Sequence, residues 1–399
     1  MEKYLIHKFS KKLLQKSIFP HFKAYLDWQT GLPAGRQGKN DFKGSQFAPI
    51  SINLDLTTAC NFQCPHCIDG DIINKGKILD FQYVKKLLRD WSKKGLKSVI
   101  LIGGGEPTLC PYFEEAVKFL KSLSLQVGIA SNGTYLKKIE NICHFLDKKD
   151  WLRLSLDAGT NEAFQKIHRP QVNLTLSEIM AGVRKIRQKN PDVQIGYSFL
   201  IIGDNKKVNK IPLAKNIGEI ALTAKLAREN GFNYLSLKPF INPEGQRGTT
   251  INRKNLAEIK KEIKKAKKFE NDDFKVMESI NLLCFYDKNL KKIMQRQPKI
   301  CHAQFFRSVV IPTGIYSCSL WRGFKSTKIA ETNQEINKKY YQAFHQNRKK
   351  MIGNFNAKKT CKEINCLYAP LNCWIEELIN SPKKIRELKP IDDFNDYFL

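Results

Sequence analysis

The chain has 399 residues, room for one large α/β domain and a smaller one around a sizeable core. Its 68 Lys and Arg against 38 Asp and Glu leave a formal charge of +30, and its 11 cysteines come with neither a secretory signal nor an apolar run long enough to span a bilayer. This composition excludes a membrane span and a disulfide-stapled secreted domain, and leaves thiolates and metal centres in a reducing cytoplasm.

Residues 1–30 place Leu5, Ile6, Phe9, Leu13, Leu14, Ile18, Phe19, Phe22 and Leu26 at helical spacing, and Pro20 divides them into two helices. Docking onto the main domain is the expected fate, with a membrane-surface helix the alternative because Lys11, Lys12 and Lys16 lie opposite. The Gly/Pro-rich stretch 31–38 reads as a surface loop. From residue 49 strand and helix alternate: strands at 50–56, 97–102, 125–130, 151–157, 193–202 and 233–239, with helices at 80–94, 111–122, 135–147, 175–189 and 212–230. Six strands separated by crossover helices require a parallel sheet, whose chemistry gathers at the carboxyl ends of the strands. Residues 246–298 read as Lys-rich helix and linker; Cys110, Cys143 and Cys284 sit among apolar neighbours as core. The charge invites an RNA partner, but residues 251–300 carry 14 Lys and Arg with 7 Asp and Glu as a solvated face, and no aromatic-interleaved basic motif accompanies them.

The first candidate site is Cys60-Asn61-Phe62-Gln63-Cys64-Pro65-His66-Cys67, directly after the first strand. Three close thiols suit an iron–sulfur cluster and leave one iron of a cube without a protein ligand. Structural zinc on the three cysteines plus His66 is the alternative. Gly103-Gly104-Gly105-Glu106-Pro107 follows the second strand, and consecutive glycines let backbone approach a ligand closely. The cysteine spacing and this strip, in that order, resemble the radical SAM superfamily over roughly residues 50–375. The resemblance implies a partial (β/α)6 TIM-like barrel and a [4Fe–4S] cluster on Cys60, Cys64 and Cys67. At that cluster S-adenosylmethionine is reductively cleaved to a 5′-deoxyadenosyl radical. It also implies cofactor contacts from His66, Gly104, Gly105, Glu106, Pro107, Ser131, Asn132, Ser155 and Arg169, and a low-potential electron donor of flavodoxin or ferredoxin type. Arg153, Ser155 and Asp157 share one face of the fourth strand, and Lys238 ends the sixth.

Cys301 and Cys318 bracket a hairpin turning at Thr313-Gly314; Cys361, Cys366 and Cys373 follow around a polar loop and an amphipathic helix. This set resembles the auxiliary-cluster domain of twitch and SPASM relatives, though with fewer cysteines than the two-cluster pattern. The resemblance implies one auxiliary [4Fe–4S] cluster on Cys301, Cys318, Cys361 and Cys366, with Cys373 in reserve as a buried apolar thiol; zinc on four thiolates is the alternative. The expected organisation is a helical extension 1–48, a core barrel 49–245, a linker 246–298, a small cysteine-rich α+β domain 299–380 and a tail 381–399. A peptide is the leading substrate. RNA, a nucleotide or a sugar is the rival, and a non-catalytic iron–sulfur or zinc protein the third reading.

Overall fold

The computed structural model describes residues 8–31, 47–204, 207–208, 211–240 and 251–399. Leu5, Ile6 and the Gly/Pro-rich stretch beyond Gly31 lie outside the described residues. Six strands fall where the sequence pattern puts them: β1 (Ser51–Leu54), β2 (Ser98–Leu101), β3 (Gln126–Ser131), β4 (Trp151–Ser155), β5 (Gln194–Ile201) and β6 (Tyr234–Pro239). They pair in order, each parallel to the next. β3 is buried throughout, whereas β4 and β6 alternate, so that Arg153 and Ser155, and Ser236 and Lys238, lie on half-open faces.

Four further strands widen the sheet. Lys275–Glu278 (β7) adds beside β6 in parallel, inside the segment expected as helical linker. Only Val276 of its four residues is buried, too little for an alternation to show. Arg307–Ile311 (β8) and Gly314–Tyr316 (β9) form the expected hairpin, and Lys328–Ala330 (β10) extends it. β8 pairs in parallel with β1, from Ser51 beside Arg307 to Leu54 beside Val310. The cysteine-bearing hairpin is therefore continuous with the sheet, giving the order β10-β9-β8-β1-β2-β3-β4-β5-β6-β7.

Helices α1 (Phe9–Leu14) and α2 (Phe19–Thr30) break near Pro20 as expected. Their apolar faces dock chiefly on Phe305, Phe306 and the helix Ala369–Ile379 rather than on the crossover helices. Of the crossover helices, α3 (Phe81–Ser92), α4 (Phe113–Ser122) and α5 (Leu136–Ile142) match expectation; α3 buries Val84, Leu87, Leu88 and Trp91 on one face. An unanticipated helix, α6 (Asn161–His168), begins at a Thr160 side-chain cap, and α7 (Leu176–Lys189) follows behind a capping box. The last crossover helix, α8 (Ile220–Glu229), starts later than its sequence pattern. Buried Asn216, just before it, accepts from the Ile202 amide and donates to the Asp157 and Leu200 carbonyls.

The tail runs back across the amino ends of the strands. Ser98 donates to the Tyr397 carbonyl, Gln126 accepts from the Tyr397 amide, Trp151 packs on Phe398, and Lys12 pairs with Asp396. The opposite, carboxyl end is left for the site. No helix among the described residues is long and apolar enough to cross a membrane.

Candidate active site

The cysteine loop leaves the carboxyl end of β1 and is fastened from two sides. The Cys60 amide donates to Asn74 Oδ1 at 2.8 Å, and the Asn74 amide donates to the Thr58 carbonyl. The Gln63 amide donates to the carbonyls of His168 and Arg169, where α6 ends, and Phe62 packs on Phe164 and His168. Cys60, Cys64 and Cys67 are partly buried neighbours. Burial first, and then the other thiols or carboxylates nearby, pushes all three thiols up, Cys67 to about 11. Such thiols become thiolates readily only beside a cation, which is what a metal centre supplies.

His66 and His168 face one carboxylate, Asp157, with their Nε2 atoms 3.5 and 3.4 Å from Oδ2. Asp157 sits just past β4 with φ 52°, and its Oδ1 accepts from the Leu200 amide. Burial opposes its ionisation, but the His66 hydrogen bond and the two imidazoles outweigh burial and hold the carboxyl below its ordinary range. Burial takes His168 down to about 4, so it is neutral at pH 7. Its Nδ1 lies 3.2 Å from Cys64 Sγ. Among the described residues Cys64, His66 and His168 form the tight metal-capable group, their ligand atoms all within 4.8 Å. His66 thus joins one cysteine and a second histidine that sequence spacing could not supply.

The glycine strip follows β2 and lies against the cysteine loop. The Gly104 amide donates to Asp55 Oδ2 at 2.8 Å and the Glu106 amide to the Ala59 carbonyl at 2.8 Å. A Cβ on Gly105 would stand 2.5 Å from the Thr57 carbonyl oxygen and 2.6 Å from that of Ala59. Its lack of a side chain serves this loop-to-loop approach, a reason the sequence did not reveal. Glu106 is buried and points inward: it accepts from the Thr108 amide and hydroxyl, the Ser131 hydroxyl and the Asn132 amide. Asn132 in turn donates to Asn61 Oδ1. Glu106, Ser131 and Asn132 therefore knit the ends of β2 and β3 to the cysteine loop. Pro107 opens a buried turn beside them, Ser155 lies half-buried on the open face of β4, and Arg169 caps α6 at φ 48°.

The second cysteine set gathers at the same end. Cys301, Cys318, Cys361 and Cys366 line a cavity of about 1390 Å³ that Cys64, Cys67 and Arg169 line as well. Burial, then proximity to one another, raises three of these thiols, Cys361 to about 11 and Cys366 to about 12. Cys373 stands apart, its sulfur turned to the Arg296 carbonyl with Arg296, Glu377 and Glu376 as its charged neighbours. Cys110, Cys143 and Cys284 are buried, as core thiols should be.

Arg322 is the site residue that sequence reasoning missed. Its Nε and Nη2 donate to Asp69 Oδ1 and Oδ2 at 2.7 and 2.6 Å, and its Nη1 to Asp55 Oδ2 at 3.0 Å. No local signal marks it, since its partners lie 253 and 267 positions away.

A parallel partial barrel with a three-thiol loop after its first strand defines the α/β class of the chain. Residues 54–211 match the model of the Radical SAM superfamily. An S-adenosylmethionine-dependent nucleotide dehydratase of Flammeovirga pacifica is 26% identical over 190 residues, 44% of this chain and 58% of its own length. YydG of Bacillus subtilis (strain 168), named for peptide biosynthesis, is 24% identical over 183 residues, 45% of this chain and 53% of its own. The chain thus spans little more than half the length of these curated relatives. Streptococcus suis SuiB, solved bound to the precursor peptide SuiA, superposes with a TM-score of 0.58 at 14% identity over 88% of this chain and 76% of its own. That likeness shows a shared fold.

Proposed function

We propose that the chain cleaves S-adenosylmethionine reductively and directs the resulting 5′-deoxyadenosyl radical at a C–H bond of a peptide. Cys60, Cys64 and Cys67 would hold a [4Fe–4S] cluster, which supplies the electron for that cleavage and an iron for the methionine amine and carboxylate. The donor set fits: three partly buried thiols on one loop, fixed from both sides, with Cys64 beside an imidazole. Around it the strip Gly103–Pro107 offers backbone; Asn132, Ser155 and Arg169 offer polar groups; Glu106, Ser131 and Asp157 hold these elements in register.

One observation carries the peptide reading. A single cavity joins Cys64 and Cys67 to the second cysteine set. Its volume of about 1390 Å³ has to take both clusters and S-adenosylmethionine besides the substrate, so the substrate would lie between the two cysteine sets. Ile68 and Phe324, 62% and 54% exposed, line it and offer apolar contact to such a segment. SuiB with its precursor peptide and the peptide-biosynthesis name of YydG support the same reading. We further assign one auxiliary [4Fe–4S] cluster to Cys301, Cys318, Cys361 and Cys366, a flavodoxin- or ferredoxin-type donor, and a reducing cytoplasm that suits eleven free thiols.

The test is anaerobic reconstitution. Reduced protein with S-adenosylmethionine should yield 5′-deoxyadenosine and methionine, and Cys64→Ala should abolish both. Cleavage at the wild-type rate by an iron-loaded Cys64→Ala protein overturns the assignment. For the substrate, tRNA binding that persists at physiological salt and falls steeply with added salt would replace the peptide with RNA.

A further inference from the structure

Arg322 lies four residues beyond Cys318, between β9 and β10, yet its guanidinium is spent on the radical half of the molecule. Its side chain is 9% exposed, and the carboxylates it meets are 0% (Asp55) and 11% (Asp69) exposed. The fork on Asp69 is bidentate, the arrangement that fixes geometry as well as charge. Asp69 is two residues past Cys67. Asp55 follows the last residue of β1, and the oxygen that takes Arg322 Nη1 also takes the Gly104 amide. The packing follows the same line. Ile72 meets Val309, Ile311 and Tyr316 of the hairpin and lies against the backbone of Gly323, at φ +84°. Asn74, two residues on, holds the Cys60 amide. The segment after Cys318 thus touches the end of β1 and the loop beyond Cys67, and reaches the glycine strip through the shared Asp55 carboxylate.

We propose that Arg322 is a positioning residue through which the second cysteine segment sets the S-adenosylmethionine site: with segment 317–324 in place the glycine strip and the loop 60–69 are in register for the cofactor, and without it they are not. This rests on the reading of Cys60–Cys67 and Gly103–Pro107 as the cluster and cofactor elements. Two buried carboxylates converge where the loop and the strip meet, and Arg322 is the cation that both of them touch. Deprived of it, the two buried carboxylates lose the cation they share and the fork that fixes them, and the Gly104 amide loses the fixed acceptor that orients it. A change at Cys318 reaches the cofactor site by the same route, because only a few residues separate that thiol from the guanidinium.

The experiment uses the full chain, reconstituted anaerobically, as wild type, Arg322→Met, Arg322→Lys, Asp69→Asn and Cys318→Ser. Iron content, S-adenosylmethionine affinity by calorimetry, and the electron paramagnetic resonance spectrum of the reduced protein with and without S-adenosylmethionine are recorded. Arg322→Met should keep the iron of the first centre, bind S-adenosylmethionine at least about tenfold more weakly, and lose the cofactor-induced change in the spectrum. Arg322→Lys, whose ammonium reaches one carboxylate, should recover part of both. Asp69→Asn and Cys318→Ser should weaken binding in the same direction. Should Arg322→Met fail to fold, the lysine and asparagine variants decide: wild-type affinity and spectra in both overturn the proposal. A wild-type spectrum that does not respond to S-adenosylmethionine overturns the cofactor reading itself, a different result from a responsive wild type with equally responsive variants.

Discussion

Gly105→Ala adds one methyl group, and the structure says what it meets. The new Cβ would stand 2.5 Å from the Thr57 carbonyl oxygen, 2.6 Å from that of Ala59 and 2.8 Å from the Thr58 carbonyl carbon. Comfortable contact needs about 3.5 Å, so two backbones must part by close to 1 Å. Overpacking of this kind costs about 1–3 kcal/mol, and breaking the Glu106 amide to Ala59 carbonyl bond at the same place adds about 1 kcal/mol. A total of about 2–4 kcal/mol is less than most domains possess, so the chain should stay folded with the entry to Cys60 displaced. Gly104→Ala is the internal control. Its Cβ would meet Asp55 Oδ2 at 3.0 Å and Ile72 Cγ2 at 3.1 Å, side-chain atoms that can yield, so its cost should be about 1 kcal/mol. Denaturant midpoints of the two apoproteins give the order, and iron content and S-adenosylmethionine affinity after reconstitution give the consequence. A Gly105→Ala protein with the wild-type midpoint and full iron, or one more stable than Gly104→Ala, refutes the reasoning.

Replacing Cys301, Cys318, Cys361 and Cys366 together with Ala should lower the iron of the reconstituted protein from about eight to about four atoms, whereas Cys373→Ala should leave it unchanged. Zinc in place of iron, or iron lost with Cys373, would show the ligand choice to be wrong. Lys238, whose amine lies 3.4 Å from Ser198 Oγ, should make stability depend on pH. Burial first, and then the charge of Arg153, brings its pKa down from 10.5 to about 7. Between those values the unfolded chain binds the proton that the folded one does not, so stability rises with pH through this window. Lys238→Met should therefore exceed wild type by a few kcal/mol below pH 7, and the gap should close by about pH 10 in thermal or denaturant unfolding.

Of the six strands, β1 and β2 were legible from nearly continuous burial over four residues, and the longer four from runs of five to eight. The two cysteine groups were legible because spacing carries their chemistry. β7 was not, since one buried valine in four residues leaves no period. Helix α6 was passed over although Thr160 and Glu162 are ordinary start signals, because only Phe164, Ile167 and His168 bury behind them. The pairing of β8 with β1, the inward turn of Glu106, the meeting of His66 with His168 across Asp157, and the Arg322 fork all join residues remote in the chain. Local pattern holds no record of such contacts. The sequence points to the loops proposed to bear the chemistry and holds no sign of what fixes them in place.

The pairing of Ser51 with Arg307 also sets an order of events during synthesis. β1 emerges early and finds β2 soon after, but its other edge stays open until most of the chain has been made. An unpaired edge invites wrong partners, and contacts so distant in sequence form slowly. Over the same interval the loop leaving β1 lacks the hairpin, Arg322 and the wall they build. The three thiols are then at their most accessible, both to the machinery that delivers iron and sulfide and to adventitious metals. Arrival of β8 closes that interval, so a slowly translated or truncated chain should accumulate with Cys60, Cys64 and Cys67 open to alkylation.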